Sequence, residues 1–112
     1  MDKVVSKVAA LGVPGLILVI AMSATGLAGA AAITTALAAL GPGGMLGGVA
    51  FLGVAGILSD ALTKYGVDAI FSAVVAELYK RGETKESILQ KVNKYPVSKD
   101  LKRKLREKIE AL

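Results

Sequence analysis

The chain has 112 residues, 54% of them apolar, with a mean hydropathy of +0.58; this is the length of one domain and too apolar for disorder. It has no cysteine and no histidine, which excludes a disulfide scaffold, Cys- or His-based metal sites, thiol catalysis and any histidine-centred triad. The net charge of +5 sits at one end: residues 80–112 hold 11 Lys and Arg against 5 Asp and Glu, whereas residues 1–79 are net −1.

Between Lys7 and Asp60 lie 52 consecutive uncharged residues. As helix this stretch would run about 78 Å, against about 30 Å for a bilayer core. It is long enough for a hairpin of two spans. A helix in water rarely lacks charge for so long, because one face must meet solvent. The expected fold is therefore all-α: an apolar Ala/Gly-rich transmembrane hairpin or bundle over residues 1–80, then a short basic amphipathic hairpin over 81–112. Lys80, Arg81 and Gly82 mark the boundary.

The first segment, about 4–24, holds the strongest apolar run, Leu16-Ile17-Leu18-Val19-Ile20, after an interruption at Pro14-Gly15. Two readings stay open. Either proline kinks one membrane helix, or Pro14 starts the helix and residues 4–11 form a separate short helix with Lys3 and Lys7 facing out. Ala21-Met22-Ser23-Ala24 has the small residues of a signal-peptide cleavage site, but the apolar run continues far beyond it, unlike a mature secreted N-terminus. The second segment, 26–40, is mostly alanine, the best helix former. Gly41-Pro42-Gly43-Gly44 then breaks the helix.

The third segment covers 45–58, extendable to 62, and the fourth 67–79, preceded by Gly66. Asp60, Lys64 and Asp68 recur at intervals of four, the spacing of a charge ladder on one helical face. Two short helices follow. The first, about 84–93, places Ile88, Leu89 and Val92 on one face and ends at Tyr95-Pro96, because a residue before proline avoids the helical region. The second, about 99–111, has Ser98 as N-cap and an apolar stripe of Leu101, Leu105, Ile109 and Leu112. Their apolar faces match as a helical hairpin.

Gly43 and Gly47, and Gly44 and Gly48, form two overlapping G-x-x-x-G pairs; Gly53 and Gly56 follow, and Gly26 and Gly29 lie upstream. Small residues at this spacing let helix backbones approach closely, which is what holds helices together in lipid. They mark a helix-packing or oligomer interface. In the tail, Lys102, Arg103, Lys104, Arg106 and Lys108 are candidates for contact with anionic lipid headgroups. Glu107 and Glu110 interleave with them, as in an ordinary solvated helical face. No aromatic stacking platform accompanies the charges, which argues against nucleic acid. The glycine-rich 41–48 stretch lacks the lysine of a phosphate loop, and no nucleophile–base pair or metal spacing is present. The pattern implies no enzyme and no cofactor.

The succession Thr25-Gly26-Leu27-Ala28-Gly29-Ala30-Ala31-Ala32, the glycines of 41–48, Leu52-Gly53-Val54-Ala55-Gly56, Leu62-Thr63-Lys64-Tyr65 and the apolar helix 70–79 resembles the interferon-alpha-inducible small membrane protein family, over about residues 24–80. Pro42 in the glycine cluster and the polar hairpin after Arg81 depart from that pattern. The resemblance implies an integral membrane protein of stress or antiviral defence, linked to membrane permeabilisation and cell death; it supplies no catalytic residues.

Three functions follow as expectations. The first is a homo-oligomeric membrane-perturbing or pore-forming effector. The second is a passive membrane anchor or assembly factor whose basic hairpin recruits a protein partner. The third is a soluble, toxin-like bundle that hides its apolar hairpin until it meets a membrane. Lys3 and Lys7 flank the apolar block at one end and the basic tail at the other, so the positive-inside rule places both termini on the cytosolic side with an even number of spans.

Overall fold

A computed structural model describes residues 1–25, 48–95 and 99–112. Every regular element among them is an α-helix. In chain order these are α1 (Asp2–Ala10), α2 (Val13–Thr25), α3 (Gly48–Tyr65), α4 (Val67–Lys80), α5 (Lys85–Lys94) and α6 (Lys99–Glu110). The all-α class expected from the sequence is what the chain adopts.

The first apolar segment is two helices. In α1, Val5, Val8 and Ala9 are buried while Lys3, Ser6 and Lys7 face out. The helix closes through hydrogen bonds donated by Leu11 N to Val8 O (3.1 Å) and by Gly12 N to Ala9 O (2.9 Å). Gly12 then takes φ +75°, a conformation that costs glycine nothing and other residues strain. Pro14 follows in the first turn of α2, where its missing N–H has no partner to lose. The structure thus adopts the reading with a separate short α1. The two helices are bent by 118°, and among the described residues no single helix is long and apolar enough to cross a membrane. Only α1 and α2 taken together reach that length and composition, as a broken pair.

Helix α2 has no polar side through its middle, and it occupies the centre. It packs against every other described helix. An apolar helix of this kind is stable only where something covers its whole circumference.

Helices α3 and α4 are separated at Gly66, which takes φ +87°. Gly66 N donates to Leu62 O at 3.0 Å to close α3. This break dissolves the charge ladder expected over Asp60, Lys64 and Asp68, since the three no longer share one continuous helix. Lys64 lies over the Tyr65 ring, 5.3 Å from its centroid, and Asp68 turns to Lys108 of α6 at 2.5 Å. α4 buries Ile70, Phe71, Val74, Val75 and Leu78 along one face.

Gly82, at φ +102°, ends α4 in a Schellman turn. Glu83 N donates to Leu78 O (3.0 Å) and Gly82 N to Tyr79 O (3.1 Å). Thr84 at once caps α5: its side chain accepts from Ser87 N, and the Ser87 side chain accepts from Thr84 N, a reciprocal capping box. Tyr95, before Pro96, is extended at φ −72°, ψ 141°, as the proline requires. Ile88 and Val92 of α5 and Leu101, Leu105 and Ile109 of α6 are buried; Leu112 lies beyond α6 and is half exposed. The apolar cluster takes in residues from all six helices, so the core runs through the charge boundary at residues 80–82.

Candidate functional site

The centre of the fold is the stretch of α2 from Leu16 to Met22, where no residue is more than 4% exposed. Its most apolar residues, Leu16, Ile17, Leu18 and Val19, are completely covered. α1 reaches this helix by folding back from Gly12. The approach is so close that a β-carbon built on Gly15 would fall on the Val8 carbonyl oxygen and touch Val8 Cγ1 at 3.0 Å. Gly15 is therefore a packing glycine that sequence spacing did not single out; beside Pro14 it reads as an interruption. Its role depends on the angle between α1 and α2, which only the Gly12 turn reveals.

Of the glycines assigned to helix packing, Gly43, Gly44 and Gly47 lie outside the described residues. Gly48 opens α3 and Gly53 lies within it. Gly56, also in α3, is exposed, and a β-carbon there would meet nothing within 4 Å. It makes no close approach to the described part of its own chain.

The basic residues of α6 are mostly engaged within the chain. Lys102 Nζ donates to Asn93 O at 2.8 Å, where the last carbonyls of α5 lack helical partners. Arg103 and Lys104 both pair with Asp100, at 2.5 and 3.2 Å. Lys108 pairs with Asp68. Arg106 is exposed and makes no ion pair with the described residues. Four of the five candidate lipid-contacting charges thus have partners within the bundle.

A second group of charges gathers where the end of α4 meets α1. Arg81 Nη2 reaches both the backbone carbonyl and Oγ of Ser6, each at 3.4 Å, while Arg81 Nε pairs with Glu77 at 3.4 Å. Beside it, Glu83 accepts from Lys91 Nζ at 2.6 Å and from Ser87 Oγ at 2.7 Å. The hydrogen bond from Lys91 first, and that from Ser87 second, hold the Glu83 carboxyl below its ordinary range. A shallow cleft of about 450 Å³ lies between these elements, bounded by Ala9, Leu11, Gly12 and Leu78 and by Arg81 and Lys91. Elsewhere, burial pushes the Tyr95 hydroxyl above its usual range.

Among the described residues no group of three or more acidic side chains could hold a metal ion. No polar or charged side chain among them is buried, and no buried side-chain polar atom lacks a partner. The arrangement is apolar inside and basic outside. No protein-family model, no curated protein and no solved structure matches the chain.

Proposed function

We propose that the protein is membrane-active: it stores a lipid-soluble helix inside amphipathic ones, releases it at a bilayer and assembles there as a homo-oligomer that perturbs the membrane. The observation that carries this reading is the near-complete cover of Leu16–Met22, the stretch of α2 that has no polar side. Uncovering such side chains to water costs about 1.5–3 kcal/mol each. Lipid tails are as apolar as leucine, so the same helix loses little on moving from its sheath into a bilayer. The bundle is closed in water and free to open against an apolar phase.

Helix α2 spans only 13 residues, about 20 Å at 1.5 Å per residue. The uncharged residues that follow it, up to Ser59, supply the length a membrane hairpin needs. The resemblance to the interferon-alpha-inducible membrane proteins adds the biological setting of stress, antiviral defence or cell death. No catalytic step belongs to this reading.

The test is a lock. The chain has no cysteine, so Asp68→Cys with Lys108→Cys introduces the only two thiols, at positions whose native side chains touch across α4 and α6. A short bismaleimide bridging them should suppress release of dye from liposomes, and the unbridged double variant should permit it. Equal leakage from both would sink the proposal. Insertion without leakage from the unbridged protein would favour an anchor whose basic hairpin recruits a partner.

A further inference from the structure

The five basic residues of α6 are the conspicuous charges in the sequence, yet the structure assigns the membrane-facing charge to a different place. We infer that the corner formed by Lys3 and Lys7 of α1 with Lys80 and Arg81 at the end of α4 is a docking surface for anionic phospholipid. The inference rests on the membrane-active reading and names the lipid class and the face that meets it.

Four observations carry it. First, Arg81 reaches Ser6, which brings the end of α4 against the outer side of α1. On that helix Lys3 lies three residues before Ser6 and four before Lys7, so all three share one side. Charges 73 to 78 residues apart in the chain are thereby brought near one another. Second, three of these four charges have no ion-pair partner among the described residues, Arg81 alone being paired. Lys3, Lys7 and Lys80 are exposed and make no ion pair with the described residues, while the acids Glu77 and Glu83 are already answered by Arg81 and Lys91. Asp2, beside Lys3 on α1, is exposed and makes no ion pair among the described residues. On α6, by contrast, Asp100 takes two cations and Asp68 a third, and the unpaired Arg106 is followed directly by Glu107.

Third, the corner is not purely polar. The adjoining cleft is lined by Ala9, Leu11 and Leu78 together with Arg81, Glu83 and Lys91. Apolar side chains beside the lysines give an acyl chain a surface next to the charges that attract its phosphate-bearing headgroup. Fourth, the cleft ends at Gly12, the bend between α1 and α2. Headgroup contact here falls on the hinge through which the covered helix would be released.

The experiment is flotation of the full chain with vesicles of phosphatidylcholine alone or of phosphatidylcholine containing phosphatidylserine. Three proteins are compared: the parent; a corner variant with Lys3→Gln, Lys7→Gln and Lys80→Gln; and a tail variant with Arg103→Gln, Lys104→Gln and Arg106→Gln. Circular dichroism verifies that all are folded, which the exposure of the substituted side chains favours. Loss of three surface lysines should weaken partition onto the anionic vesicles roughly 100-fold, and the tail variant should lose only a few-fold. Added salt should reduce the parent's partition steeply and the corner variant's little.

Parent protein that floats and leaks dye, with the corner variant unimpaired, overturns the docking surface while the membrane reading stands. Parent protein that floats with neither vesicle overturns both. A corner whose loss abolishes retention of duplex DNA but leaves flotation unchanged reassigns the surface to nucleic acid.

Discussion

The carbonyl oxygen of Val8 occupies the place that a β-carbon on Gly15 would need. The two residues are only seven apart, and they meet because the chain reverses at Gly12. The contact fixes how closely α1 lies on α2, and it allows no side chain at all.

Gly15→Ala is therefore expected to destabilise the bundle, despite alanine's better helix propensity. The obstacle is backbone, which cannot rotate aside, so the upper part of the usual overpacking range of about 1–3 kcal/mol applies. For a domain of this size that lowers Tm by roughly 10 °C. A thermal melt in which Gly15→Ala is as stable as the parent would show that α1 does not lie on α2 in this way.

The interface between α6 and the core should depend on its leucines rather than its cations. Leu105 is completely buried, and Leu105→Ala should cost about 2–5 kcal/mol. Arg106→Ala, on the exposed side, should stay within about 0.5 kcal/mol. Urea titrations of the two variants, adjacent in sequence but one buried and the other exposed, provide the comparison.

Glu83 gives the bundle a pH dependence of known sign. Its carboxyl titrates below the ordinary range because Lys91 and Ser87 donate to the ionised form. A group whose folded pKa is lowered contributes stability above the unfolded value, and loses it as pH falls through the folded value. Parent and Glu83→Gln should thus differ at neutral pH and converge in acid. The pair is partly solvated, so the neutral-pH difference should be small, about 0.2–1 kcal/mol. Urea midpoints that stay apart at the acid end would show that the difference comes from something other than charge.

Gly56 separates packing within the chain from packing between copies. A β-carbon there meets nothing among the described residues, so Gly56→Ala should raise monomer stability by up to about 1 kcal/mol through helix propensity alone. If α3 meets a second copy at this glycine in the membrane, Gly56→Leu should weaken crosslinked oligomers while leaving insertion intact. Unchanged crosslinking would remove Gly56 from the interface.

Much of the fold was readable where the signal is local. The stripe of Leu101, Leu105 and Ile109, the helix stop at Tyr95-Pro96 and the break at Gly82 each depend on residues within a turn or two of each other. The covering of residues 16–20 was not readable in the same way. An apolar run records that water is excluded, and protein and lipid exclude it equally well. The Asp60, Lys64 and Asp68 spacing misled for a related reason: intervals of four imply a shared face only while the helix continues, and Gly66 interrupts it. The partner Asp68 does find lies 40 residues on, at Lys108, with nothing in the intervening sequence to announce it. The gathering of Lys3, Lys7 and Arg81 is equally a product of tertiary structure.

The central place of α2 also fixes an order of events at the ribosome. α2 extends to residue 25, and α3, α4, α5 and α6, which all pack against it, are encoded later. At roughly 5–20 residues per second, the 85 residues from there to the end of α6 take about 4–17 s. Through that interval this apolar helix lacks the helices α3 to α6 that pack against it in the finished fold. Whatever binds exposed apolar helices in the cell, chaperone or translocation machinery, has a window of seconds in which to reach it before the bundle can close.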